Sequence, residues 1–265
     1  MILLSLLLTL AIAEKPIVLM HGILSSIDDL SEVETWFTKH TKSRVFNIEI
    51  GNGQSDSISK PMTWQLDEFV KTIALIPELT DGFHFVGFSQ GGLLGRGYVE
   101  LYNNPPVSTL LTFGTPHAGV FFWRMPKIYS EFNQEHLSYA GYYKDPHMYE
   151  VYLKNASYLP YVNNERENVI FSGDVVDVDH FVMVWSKVDG VIKPEESCKF
   201  EFFGVNSDMI IPLYKSRQYI DNLVGLRTLK ETGRLHIVES SCAHTMYKTE
   251  ECLDTLKDSI IEYVV

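Results

Sequence analysis

A chain of 265 residues, 45% of them apolar, is long enough to bury a substantial core, and single α/β domains often reach that length. Its 34 acidic and 22 basic side chains leave a formal charge of −12. That excludes a nucleic-acid binder, because phosphates must be neutralised by Lys and Arg, and there is no basic tail or polybasic membrane patch.

The first residues, MILLSLLLTLAIAEKP, read as a secretory leader. The apolar run from Ile2 to Ala13 is too short to span a bilayer, and Ala11-Ile12-Ala13 fits a small-residue cleavage site. Residues 1–13 are therefore read as a signal peptide, with a buried first strand as the alternative. The mature chain is expected to begin near Glu14, in the secretory pathway. No later apolar run predicts a transmembrane segment.

From there strands and helices alternate. PIVLM (16–20) is a continuous apolar run of the kind a strand buried on both faces shows. Ile27, Leu30, Val33 and Phe37 recur at helical spacing. RVFNIEI (44–50) reads as a strand, and Leu66, Phe69, Val70 and Ile73 as the next helix. FHFVG (83–87) is a strand followed by a helix that carries Leu94, Tyr98 and Leu101 and stops at Asn103-Asn104-Pro105-Pro106. STLLTFG (108–114), CKFEFFG (198–204) and RLHIVES (234–240) read as further strands, before a closing helix with Leu253, Leu256, Ile260 and Val264 in register. Such alternation implies a mostly parallel sheet flanked by helices. Residues 115–197 break it. Dense in Tyr, Phe, Trp and Pro, they are read as an aromatic-rich cap inserted into one α/β domain over 14–265 and lining an apolar groove.

The stretch GFSQG (87–91) places Ser89 between a strand and a helix. Gly-x-Ser-x-Gly alone is weak, but on a strand–turn–helix it describes an elbow that lifts a serine out of the sheet. The helix start then favours developing negative charge. A serine hydroxyl needs a base. Of nine histidines, His244 is the candidate, since it follows the strand-like run 234–240 and precedes the last helix. His21 is read as a brace and His117 as structural. The orienting acid should lie at a strand end between serine and histidine. Asp208, beyond FEFFGVNS, is preferred; Asp174 is its rival, and Asp189 comes third. Two backbone N–H groups should hold an oxyanion: Gln90, after the nucleophile, and Ile23, in the loop MHGIL where Gly22 permits close approach.

Of three cysteines, Cys242 and Cys252 flank His244 and are expected to pair, leaving Cys198 buried and free. Asn155-Ala156-Ser157 is the sole glycosylation sequon. No metal-binding spacing occurs; no metal or cofactor is expected, and a monomer is favoured.

The chain resembles the palmitoyl-protein thioesterase family of lysosomal α/β-hydrolases. The residues that carry the likeness are VLMHGI (18–23), GFSQGG (87–92), YYKDP (142–146), YLKNASYLPYVNNER (152–166), VNSDMIIP (205–212) and GLRTLKETGRLHIVESSCAHT (225–245). The resemblance implies an α/β-hydrolase fold and a triad of Ser89, Asp208 and His244. It also implies oxyanion donors at Ile23 and Gln90, and a fatty-acyl (palmitoyl) thioester substrate on cysteine or coenzyme A. A lipase or carboxylesterase acting on oxygen esters, or a catalytically dead lipid-binding module, are the alternatives.

Overall fold

The computed structural model describes residues 14–166 and 175–265. The expected leader and Asp174 lie outside the described residues. In chain order the strands are β1 Ile17–Met20, β2 Val45–Ile48, β3 Phe83–Phe88, β4 Val107–Phe113, β5 His180–Trp185, β6 Phe202–Phe203, β7 Ile210–Ile211 and β8 Leu235–Glu239. Six of them form one sheet in the order β2-β1-β3-β4-β5-β8, every neighbouring pair parallel. All six therefore present their carboxyl ends at one edge, where open α/β sheets build their sites.

Successive strand residues point to opposite faces, so two cores form. Val18 and Met20 of β1 and Phe83 and Phe85 of β3 enter one. Ile17, Leu19, Val86 and Phe88 enter the other. The first core is closed by helices Met62–Ala74, through Leu66, Phe69 and Ile73, and Gln90–Leu101, through Leu93, Leu94 and Tyr98. The second is closed by helices Ser31–His40 and Glu250–Ile260, which bury Trp36, Phe37, Leu253 and Leu256. The Trp36 indole N–H also donates to Asp254 Oδ1 at 2.8 Å. This is the α/β-hydrolase architecture.

Two expectations need correction. The run 198–204 is no strand of the central sheet. Residues Glu195–Lys199 form a 3₁₀ turn, and only Phe202–Phe203 extend, pairing antiparallel with Ile210–Ile211 in a hairpin of their own. The interruption 115–197 is not one block either, since β5 lies inside it and pairs with both β4 and β8. Aromatic density marks strand-forming residues but does not say which sheet they join. Between Pro126 and Val162 the chain runs through short helical turns. Tyr158 OH, donating to Leu93 O at 3.1 Å, ties this segment to the helix after Ser89. The buried Arg96 guanidinium adds bonds to Glu100, Val162 O and Asn163 Oδ1 at 2.8, 3.0 and 2.8 Å.

One buried group on β3 makes stability pH-dependent. Burial first, and then the Lys15 ammonium, push the His84 imidazole down from 6.5 to about 4. The unfolded chain therefore takes up a proton that the folded chain refuses until lower pH. The stability from this site is complete above about pH 6.5 and is lost as pH falls toward 4, roughly 2 kcal/mol of it by pH 5. Denaturant midpoints should fall between pH 7 and pH 5, and His84→Gln should flatten that fall. The fully buried His117, also held well below its ordinary value by burial and Arg96, leaves a residual slope of the same sign. Equal slopes in wild type and His84→Gln would contradict this assignment.

Candidate active site

Ser89 follows β3 directly and precedes the helix Gln90–Leu101 with φ 53° and ψ −125°. Such a backbone at a non-glycine residue costs on the order of 1–3 kcal/mol and is held by its surroundings. The Ser89 N–H donates to Phe113 O of β4 at 2.8 Å, and the Thr115 hydroxyl donates to Ser89 O at 3.0 Å. Gly91 lets the elbow close on β1: a Cβ there would lie 2.3 Å from His21 O. Gly22 does the same from the other side, because its Cβ would lie 2.9 Å from Ser89 Cβ. The loop after β1 thus reaches the serine. His21 braces it, with Nδ1 2.9 Å from Gly22 O and Nε2 2.6 Å from Glu49 Oε1.

Ser89 and His244 line one cavity of about 290 Å³, together with Gly22, Ile23 and Tyr247. His244 begins the turn after β8. Its Nδ1 lies 2.7 Å from Asp189 Oδ2, and its backbone N–H donates to Asp189 O at 2.9 Å. The other carboxylate oxygen of Asp189 accepts from Val191 N at 3.0 Å and Ile192 N at 2.7 Å. The Asp189 side chain is fully buried, and that of His244 is partly buried. These bonds fix the Asp189 carboxylate and, through Nδ1 and the backbone, orient the His244 ring.

The acid that meets His244 is therefore Asp189, not Asp208. Asp208 sits beside the β6–β7 hairpin with its side chain 86% exposed, 3.1 Å from His147 Nε2. The acid does lie past a strand end, but the strand is β5 and not the 198–204 run. Asp189 lies just past β5, whose run HFVMVW falls within the span 115–197. The five apolar residues FVMVW (181–185) ahead of Asp189-Gly190 are the available signal.

Cys242 and Cys252 are disulfide-bonded, and the bridge closes the loop that carries His244. Constraining so short a loop is worth roughly 3 kcal/mol in the chain-entropy account. Replacing both by Ser should lower the denaturation free energy by about that amount, and urea titration would read it; an unchanged midpoint would refute it. Cys198 is free and buried. Burial first, and then the nearby Asp189 charge, hold its thiol well above the ordinary range, so it is a poor nucleophile.

A second cavity, of about 350 Å³, shares Ser89, Ile23, Leu24 and Val191 with the first. Val120, Met125, Tyr139 and Tyr142 complete an almost wholly apolar wall, with Phe122 and Trp123 at its edge. Gln90 is tied to the lining residue Tyr142. Its Nε2 donates to Ser57 O at 2.8 Å, and its Oε1 accepts from Tyr142 OH at 3.0 Å. No helix among the described residues is long and apolar enough to cross a membrane.

Comparison with known proteins agrees with this architecture. The family model described as palmitoyl protein thioesterase matches residues 16–244. Palmitoyl-protein thioesterase 3 of Dictyostelium discoideum is 34% identical, over 94% of this chain and 92% of its own length. A lysosomal thioesterase PPT2 homolog of Drosophila melanogaster is 30% identical, over 89% and 87%. Among solved structures, the Bacillus licheniformis lipase BlEst2 superposes with a TM-score of 0.51 at 13% identity, covering 96% of this chain and 93% of that one. At that identity the likeness shows the fold alone. Sequence kinship, sheet order and the elbow at Ser89 converge, and the chain belongs to the palmitoyl protein thioesterase family of α/β-hydrolases.

Proposed function

We propose that this enzyme is a serine thioesterase that cleaves long-chain fatty-acyl thioesters through an acyl-enzyme, with Ser89, His244 and Asp189 as its triad. The observation that carries the reading is the place of Ser89, at the junction of the His244 cavity and the apolar one. His244 takes the Ser89 proton as Oγ bonds to the thioester carbonyl carbon. The Ile23 and Gln90 N–H groups are assigned to the oxyanion, each worth about 3 kcal/mol by analogy with other hydrolases. The intermediate collapses by breaking the carbon–sulfur bond, and the thiolate, of pKa near ~8.5, takes up the proton from His244. Water, deprotonated by the same imidazole, then releases the fatty acid and restores Ser89.

The apolar cavity is the acyl site in this account. Each buried methylene contributes about 0.8 kcal/mol, so a few of them separate chain lengths by one or two orders of magnitude. The half-buried Ile58 lines that cavity. Ile58→Phe should shift preference toward shorter acyl chains, lowering kcat/KM for palmitoyl by about tenfold relative to a short chain. An unchanged chain-length profile would place the acyl group elsewhere.

Relatives named as lysosomal thioesterases, together with the leader-like first residues, support a lysosome-like destination. The test of the reaction class is hydrolysis of palmitoyl-CoA and an S-palmitoyl peptide beside the matched oxygen esters. Faster turnover of the thioesters is expected; a strong oxygen-ester preference would replace the thioesterase with a lipase.

A further inference from the structure

We infer that the mouth of the active site is a membrane-docking surface, which seats the enzyme on a phospholipid headgroup layer through Phe122 and Trp123. The two rings stand in solvent, Trp123 64% and Phe122 44% exposed, with centroids 5.8 Å apart. They are not a frayed loop. The backbone N–H groups of both donate to Tyr143 OH at 3.2 Å, and that hydroxyl donates to Trp123 O. The hydroxyl of a buried tyrosine thus pins the main chain while the side chains point away from the core.

The rings do not stand alone. Leu24 (54%) and Val191 (43%) are exposed on the walls shared by the two cavities, and Val188 and Met246, close in sequence to Asp189 and His244, are exposed as well. Exposed apolar side chains gathered at a cavity, Leu24, Phe122, Trp123 and Val191 among them, are what an interaction surface looks like. Leu24 even holds a positive φ of 56° while its side chain remains in water.

Charge selects the occupant. The chain is strongly acidic overall, yet the residues following Trp123 include Arg124 and Lys127. Both are exposed, and neither has an ion pair among the described residues. Tryptophan with an adjacent cation suits the boundary between acyl chains and anionic headgroups. No polybasic run is required, because the rim supplies the apolar part. The surface is independent of the catalytic assignment, since partition is read without turnover.

The experiment is cosedimentation of the protein with phosphatidylcholine–phosphatidylserine vesicles, roughly three to one, and with phosphatidylcholine alone. Wild type should pellet with the mixed vesicles, and its tryptophan emission should shift to the blue. Trp123→Ala should abolish both effects, whereas Trp123→Phe should keep the pelleting and lose the shift. Arg124→Glu with Lys127→Glu should weaken partition at least tenfold, at about fivefold per cation. The same double variant should hydrolyse a water-soluble short-chain thioester at the wild-type rate, which separates docking from misfolding. Failure of wild type to pellet with either vesicle would overturn the proposal. So would a dimer in sedimentation equilibrium that Trp123→Ala dissolves, which would give the surface to a second copy of the chain.

Discussion

Replacing Asp189 by Asn is expected to lower kcat by about 10⁴, by analogy with the same change in serine-protease triads. The geometry gives the reason. Oδ1 of Asp189 accepts from two backbone N–H groups, so the amide oxygen of Asn would stay there and the NH₂ would face His244 Nδ1. The imidazole would have to accept at Nδ1 and carry its proton on Nε2, where it can no longer take one from Ser89. Asp208→Asn, on an exposed carboxylate that touches only His147, is expected to change kcat less than about twofold. Steady-state kinetics on a thioester, with circular dichroism to establish folding, checks both. The reverse order of the two effects would restore Asp208.

Ser89→Ala should be the larger loss, about 10⁶ in kcat if it matches the removal of a triad serine in other hydrolases. Alanine keeps the Cβ that already fits beside Gly22, and the Ser89 N–H bond to Phe113 O is unaffected. Stability should therefore be unchanged within about 0.5 kcal/mol. Fluorophosphonate labelling should disappear with activity. Undiminished labelling of the variant would move the nucleophile elsewhere.

Much of this fold was legible because its strands are short apolar runs and its helices show clear periodicity. The runs at 16–20, 83–87, 108–114 and 234–240 all became central strands. The elbow was legible too, since Gly-x-Ser-x-Gly lay between a strand and a helix. The error at the acid shows where such reading stops. HFVMVW and FEFF are both short and mostly apolar. Only tertiary pairing decides that the first fills the gap between β4 and β8 while the second turns back on Ile210–Ile211. With β5 hidden inside the insertion, the strand-end rule favours Asp208 and leaves Asp189 in third place. The segments that carried the family likeness have a physical basis in the structure. Lys144 of YYKDP and Glu165 of NNER form a buried ion pair at 2.6 Å, which Gln218 extends at 2.7 Å. The outward set of Phe122 and Trp123 was not legible. It depends on the Tyr143 hydroxyl reaching back across the chain.

The most direct measurement is rapid mixing of the protein with palmitoyl-CoA, acid quenching, and mass spectrometry of the intact chain and its peptides. The account requires one transient palmitoyl group on the peptide bearing Ser89, gone in Ser89→Ala and long-lived when His244 is replaced after acylation is forced by an activated ester. A palmitoyl group found on Cys198 instead, or full turnover in Ser89→Ala, would contradict it.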